Sequence, residues 1–149
     1  MQTSVDQQQA ISPRVALLAA QQSATLSHYS QEQQDAALRL FKVAYQHLGT
    51  GGGNTCAKLL LGLYNGTRFP FDLTDLRRLD EDNLNAAITV LHMDAAHTWC
   101  EIHVLLDAIC DLNIRGKSTG STLELWAHDL RLKGRCNKEA IPELKARAV

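Results

Sequence analysis

Metal-binding and nucleophilic side chains crowd residues 92–103 as His92, Asp94, His97, Cys100 and His103. His97, Cys100 and His103 recur every three residues. On one helix each such step turns the chain by about −60°, so the three would fan over about 120° and offer an ion two ligands rather than three. Helical zinc sites commonly use four-residue steps, and Cys100 and His103 flank an apolar stripe that packing already explains. These three remain the metal candidates, while the expectation is no metal and no cofactor. A nucleophile also needs a neighbouring base held by a third group, and no local signature selects one among six histidines and four cysteines. Gly116-Lys117-Ser118 lacks the glycine of a phosphate loop, because Asp111 stands five positions earlier. Gly51-Gly52-Gly53 lacks a preceding strand. The expectation is a chain that is not an enzyme.

Charge is the second source of candidates. Net charge is −1, yet nine acidic residues lie between Asp72 and Asp111 against Arg77 and Arg78, and six basic residues lie from Arg131 onward against Glu139 and Glu143. Asp72, Asp75, Asp80, Glu81 and Asp82 are the candidate acidic face for a protein partner. Arg131, Lys133, Arg135 and Lys138 form the alternative, a patch able to contact nucleic-acid phosphates. Two solvated surfaces with no partner would produce the same counts. A net charge near zero and the lack of a recognition helix or interleaved aromatics argue against the nucleic-acid reading.

The elements that position these residues are helical. Ser12-Pro13 starts one helix, and Ser30 with Gln33 forms a capping box for a second, whose stripe is Ala37, Leu40, Phe41, Ala44, Tyr45 and Leu48. Gly49 ends it, the glycines at 51–53 read as a connection, and Asn54 or Thr55 reads as the cap of a short helix closed by Asn65-Gly66. Phe69-Pro70-Phe71 forces an extended crossing. Thr74 opens a single turn, Asp80 starts a helix with Leu84, Ala87, Ile88 and Leu91 on its stripe, and the longest core helix is expected over about residues 98–112, carrying Trp99 and Ile102. Ser121 and Glu124 read as a second capping box before Leu123, Trp126, Ala127 and Leu130, with Gly134 as the stop.

The fold class is therefore all-α, an irregular bundle of about five to six helices with an extended Phe-Pro-Phe crossing. Residues 1–149 form one helical domain, with 1–11 a flexible arm and 135–149 a basic tail. An apolar share of 45% with 21% charged residues is that of a globular chain. No run approaches a membrane span, Met1–Gln9 is polar, and Cys56, Cys100, Cys110 and Cys136 lack paired spacing, so reduced thiols and a cytoplasmic location are expected.

Leu63-Tyr64-Asn65-Gly66, then Arg68-Phe69-Pro70-Phe71-Asp72-Leu73, Leu76, Leu79-Asp80 and the later Met93-Asp94 form the most distinctive run. The run resembles a family of small uncharacterised proteins of bacterial mobile elements, carried on plasmids, integrative elements and phages, that share an LYNG-x-RFPFDL-type central motif. The similarity spans about Ala36 to Leu106 and leaves out the N-terminal arm and the segment after Asn113. The resemblance implies a setting, not an activity. In that setting the expected function is a non-enzymatic interaction protein, in concrete form an inhibitor of a host defence system such as an anti-CRISPR protein, acting by protein–protein binding. The alternative is a nucleic-acid-binding regulator that uses the basic C-terminal segment.

Overall fold

Helix punctuation sets the order of the elements. A computed structural model of the chain describes residues 12–112 and 117–132. They form α1 (Pro13–Leu26), α2 (Gln31–His47), α3 (Gly51–Tyr64), a 3-10 turn (Leu73–Arg78), α4 (Glu81–Ala96), α5 (Ile102–Ile109) and α6 (Thr119–Asp129), with no strand among the described residues. This is the all-α arrangement expected. No described helix is long and apolar enough to cross a membrane.

Several starts follow their signals. Ser12 accepts from the Val15 N–H with Pro13 just inside the helix, and Ser30 and Gln33 close a complete capping box. Two starts do not. Thr50, not Asn54 or Thr55, caps α3 by accepting from the Gly53 N–H at 3.1 Å, so the glycines wind into its first turn. Asn54 instead turns back to accept from the Gly49 N–H at 2.8 Å. A Cβ at Gly53 would lie 1.9 Å from the His47 carbonyl oxygen, so the tight α2–α3 corner requires glycine there. Gly49, at φ +100°, makes the left-handed exit from α2. At α6 the cap is Ser118, which accepts from the Ser121 N–H at 3.2 Å. Glu124 is thereby released from the expected capping box.

The core lies between α2 and α3, with α4 on the other flank of α2, α6 on α3 and α1 resting on α5. Leu40, Leu60, Leu61, Val90, Leu105, Leu106 and Leu123 are its fully buried large side chains, and Phe69 plugs it from the crossing segment. Three predicted stripes shift. On α4 the buried set is Asn83, Ala86, Ala87, Val90 and Met93, while Ile88 is exposed. Tyr45 on α2 is 66% exposed, although Ala44 before it is fully buried and Leu48 one turn on packs against the core. The expected long helix over residues 98–112 is α5, only eight residues long, and the longest α-helix is α2 with seventeen. His97 terminates α4, and the Thr98 hydroxyl donates to the Asp94 carbonyl, so the chain breaks helix there. Trp99 is left outside, stacked on the exposed His28 ring at 3.7 Å.

Candidate functional site

The central run is anchored by a buried ion pair. Arg68, at the exit of α3, donates to Glu124 on α6 through two N–H groups at 2.7 and 2.8 Å, a bidentate pair. The Tyr64 hydroxyl donates to the same carboxylate at 3.2 Å. The Glu124 side chain is 1% exposed and that of Arg68 30%. Burial, and next the Glu124 charge, push the Tyr64 phenol above its ordinary range, while the hydrogen bond to Glu124 makes Arg68 hold its proton more tightly. The His103 ring meets the Tyr64 ring edge-on at 5.2 Å, and its buried Nδ1 has no hydrogen-bond partner among the described residues. The pairing explains the spacing of Tyr64 and Arg68: four residues apart across the end of α3, both reach α6. Sequence reasoning missed Glu124 because its i+3 position after Ser121 matched a capping signal.

The acidic candidates follow Arg68 along the chain. Asp72 caps the 3-10 turn, accepting from the Thr74 N–H at 2.9 Å and hydroxyl at 2.7 Å, and these bonds hold its carboxyl below the usual range. The cap is Asp72, where Thr74 was expected. Asp75 lies between Lys58 at 3.9 Å and Arg78 at 3.7 Å. Asp80 caps α4, accepting from the Asn83 N–H at 2.8 Å, Asp82 stands 3.8 Å from Arg39, and Glu81 is exposed in the first turn. Asp72 and Asp80 thus serve as helix caps, and Arg39, Lys58 and Arg78 stand beside Asp82 and Asp75, so the segment is not uniformly acidic. Four other carboxylates of the acidic run face elsewhere or act locally. Asp107 is buried and accepts from the Thr119 N–H at 2.6 Å, and Asp111 accepts from Gln22 on α1. Burial, then the Glu101 charge, raises Asp94 above the carboxylate norm.

Between these charges stands a residue that composition alone does not single out. Leu73 is 72% exposed, more than any other large apolar side chain among those described, while Leu76 is half-buried and Leu79 buried on the same segment. A pocket of about 210 Å³ opens beside it, floored by Leu61, Phe69 and Pro70 and rimmed by Lys58, Asp72 and Asp75. The only sequence signal for Leu73 is its place in the Phe-Asp-Leu-Thr-Asp-Leu pattern, which is ambiguous between core and surface.

The other candidates are not brought into one site. Arg131 is exposed at φ +59° just after α6, which ends at Asp129 rather than at Gly134, and Lys133, Arg135 and Lys138 lie outside the described residues. His97 is exposed at the end of α4, the Cys100 thiol faces the Tyr29 hydroxyl at 3.5 Å, and His103 packs under Tyr64. Burial pushes the Cys100 thiol above its ordinary value, which disfavours the thiolate a metal would take. Among the described residues no group of three His, Cys, Asp or Glu converges on one ion position.

Fold and site together define a small all-helical protein with an exposed leucine on a charged 3-10 turn that packs on α3, downstream of an Arg–Glu pair joining the end of α3 to α6. The chain belongs to a family of unknown function, DUF7673, which matches residues 34–113, more than half of its 149 residues. No curated protein and no solved structure matches it.

Proposed function

We propose that this chain is a non-enzymatic interaction protein of a bacterial mobile element that binds a protein partner through the turn Asp72–Asp82. Inhibition of a host defence system, in the manner of an anti-CRISPR protein, is its concrete form. The observation that carries the reading is Leu73, an apolar side chain 72% exposed in the middle of a charged segment. Protein interfaces place a desolvated apolar centre inside a polar rim, and the mixed charges of Asp72, Glu81, Asp82, Arg77 and Arg78 supply that rim here. Charges of both signs favour steering and register over raw affinity. The turn also packs on α3, where Asp75 pairs with Lys58, and its own cap Asp72 fixes its start, so a partner meets it without first ordering it.

The test must avoid residues that hold the fold. Asp72 and Asp80 cap helices, so Leu73, Glu81 and Asp82 are the positions to change. Leu73→Asp and the pair Glu81→Lys/Asp82→Lys are expected to retain the wild-type melting curve and to lose a partner captured by the wild-type chain from a lysate of the native host after nuclease treatment. Capture that survives both variants would refute the reading, and capture that is lost both on nuclease treatment and with Arg131, Lys133, Arg135 and Lys138 changed to Glu would favour nucleic-acid binding instead.

A further inference from the structure

A second concave site shares no residue with the charged turn. A cleft of about 260 Å³ opens between α2 and the described residues Cys110, Leu112, Lys117, Ser118 and Thr122 that follow α5 or begin α6. Its apolar walls include Leu38, Phe41 and Leu112, and the exposed ring of Tyr45 stands at 6.1 Å, centroid to centroid, from Phe41. Phe41 in turn packs against buried Trp126 at 5.4 Å, so the inner wall is fixed by the core. Exposed Lys42 from α2 and exposed Lys117 from the opposite side line it together with Thr122, and no carboxylate lines the cleft among the described residues.

The α2 stripe explains why the cleft exists. Ala37, Leu40 and Ala44 are fully buried, yet Tyr45, next on the stripe, keeps its ring 66% exposed beside the cleft. Apolar walls, a planar aromatic edge, hydroxyl and amide groups, and cations from two sides match the usual make-up of a small-ligand site. The cation pair, with no carboxylate lining the cleft among the described residues, sets the sign of the ligand. The volume suits one or two rings.

We propose that this cleft binds a small aromatic acid, its ring against Phe41 and Tyr45 and its carboxylate, sulfonate or phosphate toward Lys42 and Lys117. The test uses two fluorescent probes on the full chain, 8-anilinonaphthalene-1-sulfonate and N-phenyl-1-naphthylamine, which differ by one sulfonate. The sulfonate is expected to bind saturably at one site and about tenfold more tightly than the neutral probe, since each exposed charge contact changes affinity a few-fold. Lys42→Glu/Lys117→Glu removes that preference and leaves the neutral probe unaffected, and about 1 M salt, where the Debye length is roughly 3 Å, closes the gap as well. Tyr45→Asp weakens both probes. Equal affinities for the two probes, a charge reversal without effect on the sulfonate, or binding that does not saturate at one site would overturn the proposal. Matched circular dichroism melts keep the variants comparable, because all three substituted side chains are exposed.

Discussion

Removing Arg68 should destabilise the protein more than removing Glu124, and removing both should cost less than the sum. The two ends of the pair differ in access to water: the carboxylate is 1% exposed and the guanidinium 30%. Arg68→Met takes the bidentate partner from a carboxylate that water cannot reach, and breaking such a pair from one side costs about 3–5 kcal/mol. Glu124→Leu leaves a guanidinium that can turn its exposed third to solvent and fills the α6 site with an apolar group, so about 2–3 kcal/mol is expected. Tyr64 adds a dependent contribution. Its hydroxyl donates to the same carboxylate, so Tyr64→Phe should cost about 1 kcal/mol in the wild type and close to nothing in the Glu124→Leu background.

The assay is urea unfolding followed at the helical far-ultraviolet band, with each variant's midpoint converted through a shared slope. A coupling of at least about 2 kcal/mol is expected between Arg68→Met and Glu124→Leu, because one carboxylate carries both losses. Additive losses would mean that the two side chains stabilise the fold independently, and a smaller loss for Arg68→Met than for Glu124→Leu would mean that burial does not set the order. Either result refutes the reasoning.

Gly53→Ala should cost about 3 kcal/mol, because the new methyl would overlap the His47 carbonyl at the α2–α3 corner, and its thermal melt measured beside Gly52→Ala, which meets nothing within 4 Å, checks this. Cys56 is fully buried, and burial followed by the Asp80 charge pushes its thiol from 9.0 to about 11, so iodoacetamide should leave it unmodified at neutral pH while the chain is folded. The linked pH dependence has a definite sign: the unfolded chain loses this proton near pH 9.0 and the folded chain near 11, so stability should fall by about 2–3 kcal/mol across that window. Cys56→Ala should flatten that part of the stability–pH curve measured by urea titration, and an unchanged slope would discard the assignment.

What could be read from the sequence was what local chemistry decides. Ser30 with Gln33, Asp80 before Glu81 and Asp82, and Pro13 after Ser12 each carry their own hydrogen-bonding logic, and each begins a helix where expected. What could not be read was decided by tertiary neighbours. The three glycines look like a loop until α2 approaches α3 closely enough to demand Gly53. Trp99 fits a helical stripe until the Asp94–Thr98 turn stops α4 and places the ring outside. Glu124 is the clearest instance. A carboxylate three residues after a serine satisfies a capping rule that needs only neighbours in sequence, while its real partners Arg68 and Tyr64 stand 56 and 60 residues away. Along the acidic segment the capping role of Asp80 was legible but the exposure of Leu73 was not, since an apolar residue in a short irregular turn has no period to assign its side.

The extent of the family match sharpens this into a last prediction. Residues 34–113 include Tyr64 and Arg68 but stop before α6, which in this chain supplies Glu124 and buries Leu123, Trp126 and Ala127 in the same core as α2 and α3. Losing two large apolar side chains from the core, at about 1.5–3 kcal/mol each, removes an amount comparable with the lower end of a domain's whole stability. The bidentate partner of Arg68 goes with them. A chain cut to residues 34–113 should therefore lack a cooperative urea transition, whereas residues 12–132 should keep one. If 34–113 unfolds cooperatively with a slope in proportion to its length, the matched stretch forms its own core and α6 is an addition to it. If it does not, the stretch needs elements outside it, and residues 12–113, which keep Tyr29 and the Ser30–Gln33 capping box but lack Glu124, isolate the share that belongs to α6.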